Sequence, residues 1–194
     1  MDFSEEEAKL PEKTASVSLL VDLHAQFGLR TLWIQRAENP KDPWSGHMGF
    51  PGGRQEPNDA DCRETAERET LEEIGLNLTE HAEYLGALRK HPVYSHKGRA
   101  AFKLAAHAFW VPNMPKLTLD TSEVAAVHRI PMTYLRDPQN ETEKEIVWKE
   151  APMRFPAIRY QDRLLWGLSL KVWLDFSKRM DSTELGKLLG SRCR

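Results

Sequence analysis

Alternating apolar positions predict a β-hairpin near the beginning of the chain. Apolar residues recur at every second position across 17–23 (VSLLVDL), which is the periodicity of a strand with one buried face. A second apolar run at 31–34 (TLWI) follows a turn signal at Phe27-Gly28. We therefore expect two neighbouring antiparallel strands. Further apolar runs predict strands over 84–88, 102–111, 146–148 and 155–160.

Two stretches have the three- and four-residue spacing of helices. The first covers 59–74 and ends at Gly75, where a glycine C-cap is typical. Ser122 is a candidate N-cap for a shorter helix that begins at Glu123. The other long stretch covers 164–180 and places four apolar residues on one face: Leu165, Leu168, Val172 and Phe176.

Polar segments separate these elements. We interpret three of them as loops because they are rich in proline, glycine or charged residues: 37–49, 91–99 and 137–145. The whole pattern predicts one α+β domain over 14–180, with a mixed sheet, a central helix and a C-terminal helix. Residues 1–13 are expected to form a flexible charged tail, and residues 181–194 a C-terminal tail.

The composition narrows the class of function. The chain has 194 residues, of which 40% are hydrophobic and 29% charged, so it is expected to fold as a soluble globular domain. Its 27 lysines and arginines against 29 acidic residues give no basic excess for a dedicated nucleic-acid binder. The two cysteines, Cys62 and Cys193, are far apart in sequence and do not have the pattern of a disulfide or metal framework. With no apolar run of about 18 residues and no signal peptide, we expect a cytoplasmic protein.

Three glutamates project from one face of the first predicted helix. Glu69, Glu72 and Glu73 are three and four positions apart, so they fall within about 100° of arc and repel each other. Two explanations stay open: a solvated acidic face, and a site for a hard cation such as Mg²⁺ or Mn²⁺. A second face of the same helix suits packing against a sheet, because it carries Ala66, Thr70 and Ile74.

The residues around the glutamates favour the cation site. Gly52-Gly53 precedes the helix, and glycine lets the backbone approach a ligand closely enough for a main-chain carbonyl to bind it. Arg68 is next to Glu69 and can hold its carboxylate in one position. A glycine turn followed by a carboxylate helix is thus a coherent candidate site.

This segment resembles the Nudix box, G-x5-E-x7-R-E-U-x-E-E-x-G-U, in which U is apolar. Thr70 stands where an aliphatic residue is usual, and Asp59 follows Gly53 at the box spacing but lies one residue too far from Arg68. The role of Asp59 therefore stays open. The loop, with PGG followed by P-x-D-x-D, resembles the coenzyme A-cleaving branch of the family. The second half of the box matches in register: Arg68, Glu69, Glu72, Glu73, Gly75 and Leu76.

The resemblance implies a Nudix α/β/α sandwich with a central mixed sheet, and a pyrophosphohydrolase that depends on Mg²⁺ or Mn²⁺. It implies that Glu69 and Glu73 are the main metal ligands, and that Glu72 binds a second ion or a bridging water. A carbonyl of Gly52 or Gly53 would complete the shell, with Arg68 beside it. The general base would be Glu69 or Glu123, unless Glu123 is only a first-turn helix glutamate.

The loop before the box carries the signals for the substrate. It keeps the spacing of the coenzyme A branch at Arg36, Gly46 and Phe50, but Asp42 stands where that branch has a second arginine. An anion there should disfavour the extra 3′-phosphate of coenzyme A. Trp44 can stack on a base or sugar, or instead cover the apolar side of its own loop. We assign substrate binding to Arg36, Trp44, His47 and Arg54.

The expected reaction is therefore hydrolysis of nucleoside diphosphate sugars, including ADP-ribose, to a nucleoside monophosphate and a sugar phosphate. The alternative substrate is coenzyme A, which would give 3′,5′-ADP and phosphopantetheine. A catalytically silent nucleotide-binding module would be expected to have lost box glutamates, and hydrolysis of RNA 5′ ends is disfavoured by the balanced charge. The expected partner is a small nucleotide, with no nucleic acid and no membrane; a homodimer is left open.

Overall fold

Strands and helices alternate irregularly along the part of the chain that this computed structural model describes, namely residues 14–40, 42, 44–94, 100–148, 151–182, 187 and 189. The strands are β1 (Thr14–His24), β2 (Gly28–Arg36), β3 (Met48–Gly49), β4 (Gly52–Arg54), β5 (Glu83–Ala87), β6 (His91–Tyr94), β7 (Ala100–Trp110), β8 (Val124–Pro131), β9 (Glu141–Trp148), β10 (Ala151–Tyr160) and β11 (Arg163–Trp166). The helices are α1 (Cys62–Ile74), α2 (Leu78–His81), α3 (Met132–Leu135) and α4 (Gly167–Ser182), with a 3₁₀ helix at Pro138–Asn140.

β1 lies in the middle of a mixed sheet of eight strands. It pairs antiparallel with β2, where Leu20 is opposite Leu32, and parallel with β7, where Leu19 is opposite Ala108. The main path runs β3-β2-β1-β7-β5, while β4 pairs with β1, β6 with β7 and β8 with β2. The predicted hairpin and the predicted mixed sheet are therefore confirmed.

Each face of the sheet has its own hydrophobic core, because successive residues of a strand point to opposite faces. Leu19 belongs to a core that includes the buried rings of Trp173 and Phe176 from α4. Leu20, the next residue, belongs to a second core that includes Ile74 at the end of α1. One helix thus covers each face, and the expected α/β/α sandwich is confirmed.

α1 begins at Cys62 rather than at 59, because Asp61 caps it. The Asp61 carboxylate accepts the backbone N–H groups of Arg63 and Glu64 at 2.7 and 2.9 Å, which satisfies donors that have no partner inside the helix. At the other end Gly75 has a φ of 68°, the left-handed conformation expected of a glycine C-cap.

Ser122 does not begin a helix, so that prediction is wrong. Its N–H and its hydroxyl both donate to the Asp120 carboxylate, at 2.9 and 2.6 Å, and the chain then enters β8 at Val124. A turn of this kind gives the backbone a local partner and competes with a helix N-terminus. Glu123 therefore lies in a turn before a strand, and not in the first turn of a helix.

β9, β10 and β11 form a separate antiparallel sheet, which corrects two predictions. Residues 141–145 are not part of a loop, since they begin β9 and their glutamates alternate along its exposed face. The last helix begins at Gly167, because 163–166 form β11. In the eight-stranded sheet, 91–94 also form a strand, β6, in spite of the proline at 92.

The two predicted tails lie largely outside the described residues. This holds for all of 1–13 and for most of 181–194. Leu189, however, is fully buried in the core that α4 shares with the sheet. The division into two tails and a 14–180 domain stays a prediction. None of the helices in the described part of the chain is long and apolar enough to cross a bilayer.

Gly75→Ala is expected to destabilise the protein more than Gly28→Ala. Both glycines have a left-handed φ, 68° and 66°, so alanine is strained at each by about 1–2 kcal/mol. A Cβ on Gly75 would also lie 2.9 Å from the backbone oxygen of Thr118, whereas nothing lies within 4 Å of one on Gly28. Chemical denaturation should therefore show an additional loss of about 1 kcal/mol or more for Gly75→Ala. Equal losses would contradict close packing of Thr118 on the helix end.

Candidate metal and nucleotide site

The Gly52-Gly53 turn packs directly against the glutamates of α1. The Gly52 N–H donates to Glu73 Oε2 at 2.9 Å, and Glu73 is only 2% exposed. A Cβ on Gly53 would lie 2.4 Å from Glu69 Oε1, so glycine alone leaves room for the Glu69 carboxylate. The structure thus brings together the two glycines and two of the three glutamates that the sequence assigns to a cation. For Glu73, the alternative of a solvated acidic face is wrong.

The opposite side of α1 is fixed to the sheet, as its apolar spacing predicts. Ala66, Thr70 and Ile74 are fully buried. The Thr70 hydroxyl oxygen lies 2.6 Å from the Ala66 carbonyl and 2.8 Å from the hydroxyl of Ser18 in β1. The threonine at a position where an aliphatic residue is usual therefore has a hydrogen-bonding partner in the sheet. This contact sets the rotation of the helix and with it the direction of the glutamates.

Burial and like charge act together on Glu69 and Glu73. Burial raises the pKa of Glu73 to about 8, against the opposing hydrogen bond from Gly52, and the charges of Glu69 and Glu123 add to the increase. Burial also raises the pKa of Glu69, although Arg68 opposes it. Arg68 does not fully offset burial at Glu69, and among the described residues Glu73 has no ion-pair partner. A hard divalent ion has the matching charge and ligand preference for such a pair of carboxylates.

Glu72 is directed away from this pair. Its side chain is 58% exposed, and its Oε2 lies 2.8 Å from Arg68 Nη1. Among the described residues, no three His, Cys, Asp or Glu side chains are already gathered around one point. The set that fits a cation in this structure is therefore Glu69, Glu73 and the adjoining glycine backbone, and Glu72 can join it only by leaving Arg68.

Arg68 is held by Asp59, whose role the sequence leaves open. Arg68 Nε and Nη2 donate to the two oxygens of Asp59 at 3.0 and 3.1 Å, and Nη2 also lies 3.0 Å from Glu69 Oε1. The hydrogen bond from Arg68 lowers the pKa of Asp59 to about 2 against the effect of burial, with help from Thr65 and Glu56. Sequence reasoning missed Asp59 as a site residue because the loop is one residue longer than the box pattern.

Glu123 reaches the same region from the other side. The segment that carries it is tied to the end of α1, where the Thr118 N–H donates to the Ile74 carbonyl at 3.1 Å and the Asp120 N–H to the Glu73 carbonyl at 3.0 Å. The Glu123 charge contributes to the raised pKa of both Glu69 and Glu73. The structure thus places Glu123 within electrostatic reach of both candidate ligands.

A cleft of about 420 Å³ opens beside Glu123. Within it Arg36 is already paired, since its Nε and Nη2 donate to Asp42 Oδ2 at 2.9 and 2.7 Å. Burial opposes ionisation of Asp42, but the Trp44 N–H and Arg36 outweigh it and lower its pKa. Trp44 is 47% exposed, so its ring is accessible to a ligand rather than covering its own loop. The cleft is lined by Arg36, Ala37, Asn39, Asp42, Trp44, Arg54, Ser122 and Glu123.

His47 differs from the other predicted substrate residues, because it is not among the residues that line this cleft. Its ring packs edge-on against Trp166 of β11, with centroids 5.3 Å apart. Burial lowers the pKa of His47, and the charges of Lys144 and Arg36 lower it further while Asp42 opposes them. His47 therefore lies between the cleft and the small sheet. Arg54 lines the cleft, and its carbonyl accepts a hydrogen bond from Arg68 at 3.1 Å.

Comparison with known proteins identifies the fold and the family. The NUDIX domain model matches residues 13–148. The uncharacterized protein C14C4.10c of Schizosaccharomyces pombe is 40% identical over 117 residues, which are 59% of this chain and 36% of that protein. The mitochondrial coenzyme A diphosphatase NUDT8 of Homo sapiens is 33% identical over 136 residues, 69% of this chain and 56% of that protein. The chain thus spans about a third to three fifths of the curated relatives that it matches.

Solved structures show the same fold at low sequence identity. The NUDIX domain of Shewanella oneidensis NrtR, complexed with ADP ribose, superposes with a TM-score of 0.51 at 19% identity, covering 69% of this chain and 81% of that one. The binary complex of the C. elegans Ap4A hydrolase gives 0.51 at 18% identity, covering 62% and 80%. These similarities show the arrangement of strands and helices and do not bear on the substrate.

Glu73→Gln is expected to stabilise the metal-free protein near pH 7.5. The pKa of Glu73 is raised from 4.5 to about 8 in the folded state, so folding binds this proton and stability falls as pH rises through that window. Glutamine keeps the acceptor for Gly52 without the charge. In EDTA, we expect a gain of about 4 kcal/mol near pH 7.5 that disappears below about pH 4.5, since each pH unit between these values contributes about 1.4 kcal/mol.

The matched control is Glu67→Gln, which removes a charge from the same helix but only breaks an exposed pair with Arg63. Mg²⁺ should raise the melting temperature of the wild type and of the control more than that of Glu73→Gln. A Glu73→Gln protein that is less stable than wild type in EDTA near pH 7.5 would contradict the electrostatic crowding described above.

Proposed function

The chain belongs to the Nudix family, and we propose that it is a divalent-metal-dependent pyrophosphohydrolase. Its reaction is hydrolysis of the diphosphate bond in a nucleoside diphosphate-linked compound. The observation that carries the proposal is the crowding of Glu69 and Glu73 against the Gly52-Gly53 turn, with the charge of Glu123 acting on both. Such crowding destabilises the fold by itself, and a bound cation would offset the repulsion between the carboxylates.

Glu69, Glu73 and a carbonyl of the Gly52-Gly53 turn would hold the cation. Nudix hydrolases generally use divalent ions, and ligands that are all oxygen favour Mg²⁺, with Mn²⁺ as its substitute. When bound, the ion neutralises charge on the diphosphate and lowers the pKa of a coordinated water. Glu72 is assigned to a second ion or a bridging water, which requires its side chain to leave Arg68.

Glu123 is the proposed general base. It lines the cleft, so its carboxylate can accept the proton of a water that attacks a phosphorus atom held there. Glu69, the other candidate, is ion-paired with Arg68 and assigned to the metal, so it is less available as an acceptor. Arg68 is a positioning residue, because it joins Asp59 and Glu69 and does not line the cleft.

Nucleoside diphosphate sugars, including ADP-ribose, are the proposed substrates, with a nucleoside monophosphate and a sugar phosphate as products. The support is the charge of the cleft: Asp42 neutralises Arg36, so of the arginines among the described lining residues only Arg54 is without an ion pair. Trp44 offers an exposed ring for the base or the sugar, and Arg54 a cation for the diphosphate.

Coenzyme A is the second candidate substrate, because the human and mouse relatives are named coenzyme A diphosphatases. That reaction would release 3′,5′-ADP and phosphopantetheine. The presence of all three box glutamates argues against a catalytically silent nucleotide-binding module. A cytoplasmic location stays a prediction, since the human relative is named as mitochondrial, and so does the assembly as monomer or homodimer.

Glu73→Gln is expected to lower kcat by a factor of about one hundred or more at saturating Mg²⁺, because an amide replaces a charged metal ligand. Glu67→Gln should retain activity within about twofold, since its partner Arg63 is outside the site. The rates come from chromatography of the products, which are AMP from ADP-ribose and 3′,5′-ADP from coenzyme A. A Glu73→Gln enzyme with most of the wild-type activity would remove Glu73 from the metal site.

Asp42→Arg is expected to raise kcat/KM for coenzyme A relative to ADP-ribose by about tenfold, which corresponds to about 1.4 kcal/mol. The substitution releases Arg36 and adds a second cation for the 3′-phosphate. Asp42→Asn separates the two effects, because it only releases Arg36. Asp181→Asn, which breaks an exposed pair with Arg136, serves as the control. If the wild type already prefers coenzyme A to every nucleotide sugar tested, the proposed order of substrates is wrong.

A further inference from the structure

The inner face of the small sheet carries a lysine that forms no ion pair with any other described residue. Along β9 the glutamates 141, 143 and 145 are exposed, while Lys144 alternates with them and is partly buried on the other face. Arg154 pairs with Glu143 and Glu145 at 3.6 and 3.3 Å on the outer face. Within the described part of the chain no carboxylate lies within ion-pair distance of Lys144. A lysine on a partly covered face without a carboxylate partner is suited to bind an anionic ligand.

This inner face adjoins the candidate nucleotide site through a series of rings. Lys144 is directly opposite Phe155 in the β9–β10 register, so the two side chains share a face. The Phe155 and Trp166 rings are 6.3 Å apart, and the Trp166 and His47 rings 5.3 Å. The β9–β10–β11 sheet is therefore packed beside the loop whose other side chains line the cleft.

Two further observations indicate that Lys144 lies close to the cleft. Arg163 of β11 donates to Gln35 Oε1 at 2.9 Å, and Gln35 immediately precedes Arg36 in β2. The charges of Lys144 and of Arg36 both act on the His47 imidazole and lower its pKa. His47 thus lies within electrostatic reach of both Lys144 and Arg36.

We propose that Lys144 binds a phosphate group of the substrate and replaces the positive charge that Asp42 withdraws from Arg36. This assignment rests on the proposed function. It extends the substrate site from the residues that line the cleft to the inner face of the β9–β10–β11 sheet. An ammonium group binds phosphate as a compact point charge and needs no fixed fork geometry. The phosphate is either part of the diphosphate that all substrates share or an additional phosphate on the nucleotide.

The test compares Lys144→Met with Lys171→Met, which removes an exposed lysine of α4. ADP-ribose, dephospho-coenzyme A and coenzyme A are the substrates, and the last two differ by one 3′-phosphate. We expect Lys144→Met to lower kcat/KM at least tenfold through a higher KM, and Lys144→Arg to restore most of it. Loss with all three substrates identifies the diphosphate as the ligand; loss with coenzyme A alone identifies the additional phosphate. Losses no larger than those of Lys171→Met overturn the proposal.

A binding measurement separates this proposal from the proposed function. AMP and adenosine 3′,5′-bisphosphate contain no diphosphate bond, so calorimetry with Mg²⁺ measures their affinity even for a protein without hydrolase activity. We expect Lys144→Met to bind at least one of them about tenfold more weakly than the wild type and the Lys171→Met control, with an unchanged circular dichroism spectrum. Equal affinities for both nucleotides overturn the role of Lys144, whereas absence of turnover in the wild type overturns only the proposed function.

Discussion

The close approach of the Gly52-Gly53 turn to β1 and α1 is the constraint on which the candidate site depends. A Cβ on Gly52 would lie 2.2 Å from the Ser16 carbonyl oxygen, and one on Gly53 would lie 2.4 Å from Glu69 Oε1. Any side chain would therefore push the turn away from the helix, and the Gly52 N–H would lose Glu73. The positions of the Glu69 and Glu73 carboxylates are therefore set by backbone packing, and this packing is possible only because both turn residues are glycine.

The fold offsets the electrostatic cost of this approach by fixing α1 at both ends and along its inner face. Asp61 caps the first turn, while Gly75 and the segment that begins at Thr118 close the last one. Between them the Thr70 hydroxyl meets β1, so the helix cannot rotate to move Glu73 into water. Without these contacts the repulsion would be relieved by a small movement of the helix, and the ligands would no longer converge.

The sequence predicts the framework of the site well, because helix periodicity and glycine positions are local signals. Three features of the candidate site depend on tertiary structure instead: the role of Asp59, the turn that carries Glu123, and the placement of Lys144. Asp59 pairs with Arg68 across a loop whose length is not set by any periodicity. The position of Glu123 depends on a turn in which the Ser122 hydroxyl donates to the Asp120 carboxylate. Ser122 is therefore not available as the helix N-cap that the sequence suggests. Lys144 lies in the first part of β9, where every residue is polar or charged, so the sequence resembles that of a loop. Only the tertiary structure distinguishes the two faces of this strand.

The distribution of cations explains how an acidic site can accept an anionic substrate. Arg68 is committed to Asp59 and the box glutamates, and Arg36 to Asp42, so neither is free to attract a diphosphate. On the proposed function, the metal reverses the charge at Glu69 and Glu73, while Arg54 and Lys144 approach the substrate from the cleft and the small sheet. Metal and substrate then bind cooperatively, because each removes a repulsion that the other would meet alone. On this proposal, substrate selectivity depends on which arginines the chain neutralises as much as on which cations it presents.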